Sequence, residues 1–269
     1  MIDDVNIDNV TLMLGDCIER MKDIPDGSVD LTVTSPPYDD MRTYNGSLDD
    51  WNTDKWKEVL SELLRVTKDG GVVVWNVNDA TINGSETGTS LRQAVYAMDI
   101  GFFLADTMIW EKTGSGCLGS NRLYLQNFEY MFILSKGKHK TFNPIKDRKN
   151  ISAPKTMTVN QNLVEGKATS FREIESTEYG KRYNIWKFHP QQNSNHPAPF
   201  PQKLANDHIL SWSNEYETVL DPFMGSGTTG VSALVTNRNF IGIEREPLYF
   251  EIAKKRILES ANNLYKFLE

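Results

Sequence analysis

The chain has 269 residues, 39% hydrophobic and 24% charged, enough for a large buried core and unlike a disordered or fibrous composition. No apolar run approaches membrane-spanning length, the acidic start "MIDDVNIDNV" lacks a basic-then-apolar leader, and two distant cysteines make no disulfide framework, so a reducing cytoplasm is expected. The formal net charge of −7 taken alone argues against a nucleic-acid partner, although the placement of charge matters more than its sum.

In chain order, "VTLML" reads as a short strand ending at Gly15-Asp16, and "SVDLTVT" as a second strand running into "SPPY". Trp56, Val59, Leu60, Leu63 and Leu64 recur at helical spacing, which predicts a helix over 53–68 that Gly70-Gly71 should terminate. "VVVWNV" has the continuous apolar character of a strand buried on both faces. "SLRQAVYAMDIGF" and "LADTMIWEK" suggest a further helix and strand, and "EYMFILSK" another strand. From 137 to 190 apolar periodicity fades, which predicts either a long surface excursion or a small insertion with its own role. Order resumes with "KLANDHILSW" as helix, "TVLDPF" as strand, "TGVSALVTN" as helix, "NFIGIE" as strand and "PLYFEIAKKRILES" as a last helix. Alternating strands and helices predict an α/β protein with a doubly wound, mostly parallel sheet.

Two stretches carry chemistry. "VLDPFMGSGTTG" sets a glycine-rich turn between strand and helix, where backbone amides can approach an anion at the positive helix end. A nucleoside-triphosphate loop is excluded, because Val231 rather than Lys follows Gly230. Gly225, Gly227 and Gly230 satisfy G-x-G-x-x-G, and Glu244 ends the next strand at a distance suited to a ribose, so a dinucleotide and S-adenosylmethionine both remain. The second stretch is the rigid Ser35-Pro36-Pro37-Tyr38 hook, whose prolines cannot continue a strand.

Together "TSPPY" and "LDPFMGSGTTG" resemble the amino-group DNA methyltransferases, which modify the exocyclic nitrogen of cytosine or adenine. The hook preceding the glycine loop is the permuted order of the β group, and "LGD" at 14–16, "NHPAPFP" at 195–201 and "FIGIE" at 240–244 extend the likeness. The resemblance implies a Rossmann-like methyltransferase fold, S-adenosylmethionine as cofactor and double-stranded DNA as partner; no metal is expected, because the four histidines show no metal-ligand spacing, and no membrane, because no apolar run is long enough. It leaves open a homodimer and a separate cognate restriction endonuclease. It further implies a split catalytic domain, 1–136 and 191–269, around a target-recognition insertion at 137–190.

Site residues follow from the same resemblance. Ser35 Oγ and the Pro36 carbonyl would accept both N–H groups of the target amine, Pro37 would stiffen the hook, and Tyr38 would offer a stacking face to an extruded base. Asp221, Phe223, Gly225, Ser226, Gly227 and Thr228 would cup the methionine moiety, and Glu244 would hold the ribose. Asp16 matches the residue that contacts the adenine amine, though it equally suits a helix N-cap. Phe200 and Pro201 match the segment closing over the methionine end, though Phe200 and Phe223 equally suit a core. Ring-carbon methylation is excluded by the lack of a Pro-Cys pair, and Ser at the head of the hook favours cytosine N4 over adenine N6.

The basic run 136–155, where Lys136, Lys138, Lys140, Lys146, Arg148, Lys149 and Lys155 face Asp147 alone, has a local charge of +6, which by composition suits a solvated loop as well as a phosphate-contacting face; the resemblance implies DNA contacts there. Arg172, Lys181 and Arg182 lie farther on, and Arg42 and Tyr44 are placed in a polar loop suited to wrapping a flipped base. The alternatives are a nucleotide-dependent oxidoreductase, resting on the glycine fingerprint alone, and an RNA or protein amino-methyltransferase.

Overall fold

The computed structural model describes residues 4–7, 9–38, 51–114, 118–120, 123–151, 156–164, 167–175, 177–190 and 201–268. The chain forms two compact units, 1–143 with 184–269, and Pro144–Tyr183.

In the larger unit the elements run β1 (Val5–Ile7), β2 (Val10–Leu14), α1 (Cys17–Met21), β3 (Val29–Thr34), α2 (Thr53–Val66) and β4 (Thr67–Val77). A hairpin of β5 (Thr81–Ile82) and β6 (Ser85–Glu86) then turns through Asn83 and Gly84, both at positive φ, and leads to α3 (Thr89–Asp99) and β7 (Phe102–Lys112). A second small pair, β8 (Leu118–Ser120) and β9 (Leu123–Gln126), precedes β10 (Phe128–Lys136). The smaller unit holds β11 (Arg148–Lys149), β12 (Thr156–Val164), β13 (Lys167–Glu175) and β14 (Tyr179–Gly180). The larger unit resumes with β15 (Ile185–Phe188), α4 (Gln202–Trp212), β16 (Thr218–Asp221), α5 (Thr228–Val235), β17 (Asn239–Glu244) and α6 (Pro247–Leu268).

Nine strands form one sheet in the order β1-β2-β17-β16-β3-β4-β10-β7-β15. Strands β2, β17, β16, β3 and β4 are mutually parallel, β10 is antiparallel to both β4 and β7, and β15 lies parallel to β7. The sheet is thus mostly parallel and doubly wound. One face buries Val73, Trp75 and Val77 of β4 with Trp56, Leu60 and Leu63 of α2 and Ala94 and Ala97 of α3. The other packs under α4, α5 and α6, where Leu204, Ala233, Phe240, Ala253 and Ile257 are fully buried or nearly so.

One local expectation is corrected. Helix α2 ends at Val66, where Thr67 turns extended, and Gly70-Gly71 lies inside β4. Gly70 takes φ +83° beside a register shift between Val29 and Leu31, so the glycine pair shapes an irregular strand rather than stopping the helix. The smaller compact unit, Pro144–Tyr183, lies within the stretch 137–190 expected as an insertion. Residues 137–143 and 184–190 belong to the larger unit, and β15 pairs Trp186 with Trp110 in the main sheet.

Candidate active site

The parallel strands end at one edge of the sheet, and each sequence motif begins where a strand stops. β3 and β16 are neighbours, paired Val219 with Leu31 and Leu220 with Thr32. From β3 the chain crosses through α2 on one face, and from β16 through α5 on the other, so the topological switch point falls between these two strands. Open α/β sheets build their sites in that crevice. Here the hook and the glycine loop meet: Thr34, the last residue of β3, donates from Oγ1 to Asp221 Oδ1 at 2.7 Å.

Asp221 is 2% exposed and also accepts from the Phe223 amide at 3.1 Å. Burial pushes its carboxyl up to about 6, against the opposing pull of the Thr229 and Thr34 hydroxyls and the Phe223 amide. Beyond it, Gly225 and Gly227 take φ +51° and +81°, conformations that side chains with a Cβ rarely adopt. Gly227 caps α5 without a side-chain hydrogen bond, so the first amides of that helix face the loop. From α6, Arg256 Nη1 holds the loop through the Ser226 carbonyl and, at 2.9 Å, Ser226 Oγ. The ring of Phe223 meets Trp51 edge-on at 5.4 Å.

At the end of β17, Glu244 Oε2 accepts from the Gly225 amide at 2.8 Å and Oε1 from the Glu246 amide at 2.8 Å. Burial nonetheless raises its carboxyl above the ordinary range. A carboxylate fixed by two backbone amides still has lone pairs to offer, which fits the vicinal hydroxyls of a ribose. The neighbouring strand end brings Gly15, whose amide donates to the Glu244 carbonyl at 2.9 Å. Asp16 caps α1 through the Ile18 amide at 3.0 Å and pairs with Lys55 Nζ at 2.6 Å. Pro201 is the N-cap of α4, and Thr228 opens α5. The loop, the helix amides and Glu244 therefore offer what a molecule with a carboxylate at one end and a nucleoside at the other requires. Residues Arg42, Tyr44 and Phe200 lie outside the described residues.

In the hook, Ser35 Oγ lies 2.7 Å from Tyr38 Oη, and Tyr38 Oη donates to Glu129 Oε2 at 2.7 Å. Asn76 Nδ2 reaches both Tyr38 Oη and Glu129 Oε2 at 2.7 Å, and Lys112 Nζ pairs with Glu129 Oε1 at 2.6 Å. Sequence reasoning missed Asn76, Lys112 and Glu129 here, as it missed Trp51 and Arg256 at the glycine loop. One signal was present for Glu129: an acidic residue inside the apolar run "EYMFIL" needs a buried partner.

The expected DNA-contacting residues divide. In the smaller unit Lys146 and Lys149 are both exposed. Arg148 is committed internally, donating to the Lys181 carbonyl at 3.0 Å with its guanidinium 4.8 Å from the Tyr183 ring centre. Arg182 holds Asp147, with Nε 2.9 and 3.1 Å from its two oxygens. Arg172 lies on β13 opposite Val159. Lys140, in the larger unit, lies over Gly70 near the start of β4, the sheet edge opposite the hook.

An α/β sheet of this order with both motifs at its switch point defines a Rossmann-like methyltransferase. The model of the DNA methylase family, which comprises the N6 and N4 methyltransferases, matches residues 29–255. The orphan methyltransferase M.BamHII of Bacillus amyloliquefaciens is 49% identical over 247 residues, covering 88% of this chain and 91% of that one. The DNA adenine methyltransferase YhdJ of Escherichia coli (strain K12) is 29% identical over 268 residues, covering 92% of this chain and 82% of that one. Among solved structures, a DNA modification methylase of Thermus thermophilus, complexed with S-adenosyl-L-methionine, has 26% identity and a TM-score of 0.63, covering 93% of this chain and 95% of that one. This chain belongs to the N4/N6 amino DNA methyltransferase family, whose cofactor is S-adenosylmethionine. No helix among the described residues is long and apolar enough to cross a membrane.

Proposed function

We propose that the protein methylates the exocyclic N4 of a cytosine flipped out of duplex DNA, by one direct displacement. S-adenosylmethionine, when bound, supplies an electrophilic methyl on a sulfonium. The observation that carries the reading is the Thr34–Asp221 hydrogen bond, which ties the residue just before the hook to the strand end that starts the glycine loop.

An exocyclic amine is a weak nucleophile because its lone pair is delocalised into the ring. Two fixed acceptors, Ser35 Oγ and the Pro36 carbonyl, hold its N–H groups and turn the lone pair outward. Stiffness matters, because a misplacement of ~1 Å can cost ~100-fold in rate. The proline pair supplies it by fixing φ. The half-buried ring of Tyr38 is held by its hydroxyl and offers one face to an extruded base. Asp221, the glycine loop and Glu244 hold the cofactor across the crevice, and lysines of the 144–183 unit contact phosphates.

The neutral hydroxyl of Ser35 favours cytosine; the likeness to YhdJ, an adenine enzyme, favours N6 of adenine as the second reading. Unmodified DNA is incubated with isotopically labelled cofactor and digested to nucleosides for mass spectrometry. Labelled N4-methylcytosine is expected, and labelled N6-methyladenine without it replaces the first reading by the second.

A further inference from the structure

Glu129 has no part in the scheme so far, yet it is a carboxylate only 4% exposed beside the hook. It lies on β10 opposite Trp110, and groups from several segments surround it. Lys112 of β7 occupies Oε1. Asn76 of β4 and Tyr38 of the hook occupy Oε2, and Ser35 lies behind Tyr38.

The direction of each proton in this cluster follows from counting donors. Lys112 can only donate, and an ionised carboxylate can only accept. Asn76 must turn its NH2 inward, since the reverse would set a carbonyl against the carboxylate. Its own Oδ1 is left buried without a hydrogen-bond partner, which marks the orientation as imposed by the cluster. Tyr38 has one hydroxyl proton, and Glu129 takes it at 2.7 Å. Tyr38 Oη is then an acceptor toward Asn76 and toward Ser35, so the single proton of Ser35 points at Tyr38. Asn76 Nδ2 stands 3.5 Å from Ser35 Oγ, the far limit of a hydrogen bond, so the Ser35 lone pairs stay available to a ligand.

We propose that Glu129 is a positioning residue for methyl transfer: through Tyr38 it orients the Ser35 hydroxyl so that Oγ meets the target amine as an acceptor, never as a donor. The inference rests on the reading of Ser35 given above. A free hydroxyl is both donor and acceptor, and a donor turned toward an amine N–H would repel it. Lys112 completes the device by pairing with Oε1, so that every polar group around the buried carboxylate is a donor turned toward it.

The test compares single-turnover methylation rates of the full-length protein and of Ser35→Ala, Glu129→Gln, Tyr38→Phe and the double Glu129→Gln/Tyr38→Phe variant, with cofactor affinity measured for each. Gln keeps the shape of Glu129, and Phe keeps the ring of Tyr38. Glu129→Gln and Tyr38→Phe are each expected to slow transfer on the order of 100-fold, the scale of losing one preorganised hydrogen-bonding group at a reacting centre. Cofactor affinity should stay within about twofold. The double variant should be no slower than either single one, because both break the same chain. A merely structural role for Glu129 predicts independent, multiplying losses, and that result overturns the proposal. So does Tyr38→Phe at the parental rate, a test that stands even if Glu129→Gln does not fold. Ser35→Ala separates the two levels. If it turns over at the parental rate, the reading of the hook fails; if it is slow while Glu129→Gln is fast, only the role of Glu129 fails.

Discussion

Asp221 and Glu129 are both carboxyls shut away from water, and they differ in what surrounds them. Glu129 has a lysine at 2.6 Å, whereas Asp221 has hydroxyls and an amide but no cation among its named partners. Asp221 therefore loses a proton reluctantly, which links its ionisation to stability. The unfolded carboxyl titrates near 3.8 and the folded one near 6, so between those values the folded state keeps a proton that the unfolded state has released. Stability must fall as pH rises through that window, by on the order of 3 kcal/mol once above it. Asp221→Asn should accordingly resist denaturant better than the parent at pH 7.5, with the advantage gone below pH ~4, where both states of the carboxyl are protonated. A difference that does not vary with pH would refute this account. Neither carboxyl's surroundings were legible in the sequence. Asp221 was singled out through its motif, but its bond to Thr34 spans 187 positions. Glu129 finds Asn76 only because β10 lies against β4, a pairing that no local pattern encodes.

Among the elements, the glycine loop and the helices behind it show where pattern reading stops. The third glycine of the fingerprint, Gly230, serves packing: a Cβ there would lie 2.5 Å from Ile257 Cδ1 of α6 and 2.6 Å from Phe240 Cε1 of β17. Gly227 is similarly crowded, with Ala253 Cα at 3.1 Å from the position of its missing Cβ. Gly230→Ala should cost about 1–3 kcal/mol in chemical denaturation, the range for overfilling a packed interior. An unchanged midpoint would show that α6 yields. The longer strands and helices were legible because their apolar periods are long and uninterrupted. The places that misled were short or irregular. β15 has four residues, of which only Trp186 is buried, so it leaves almost no period to detect. Gly70-Gly71 follows a helix, where a stop signal is the ordinary reading, but the chain had already turned extended at Thr67.

For the molecule as a whole, the overall charge conceals a division. Residues 144–183 hold eight Lys/Arg against five Asp/Glu, a net of +3, while the remainder of the chain carries −10. Within the small unit the arginines Arg148 and Arg182 are engaged in holding it together, which leaves Lys146 and Lys149 as the cations beside β11 best placed to meet a phosphate. The double variant Lys146→Ala/Lys149→Ala should weaken DNA binding and lower the slope of log affinity against log salt by about 2, near 0.9 for each lost phosphate contact. A parental slope would remove these lysines from the DNA interface.

The strand order has one more consequence. Strands β2 and β3 are synthesised well before β17 and β16, which separate them in the sheet. Until Thr218–Asp221 has been made the edge of β3 facing it is open, and until Asn239–Glu244 has been made the edge of β2 is open as well. The centre of the sheet thus closes only after the strands on both sides of it exist, and until then those edges leave the growing chain open to misassociation.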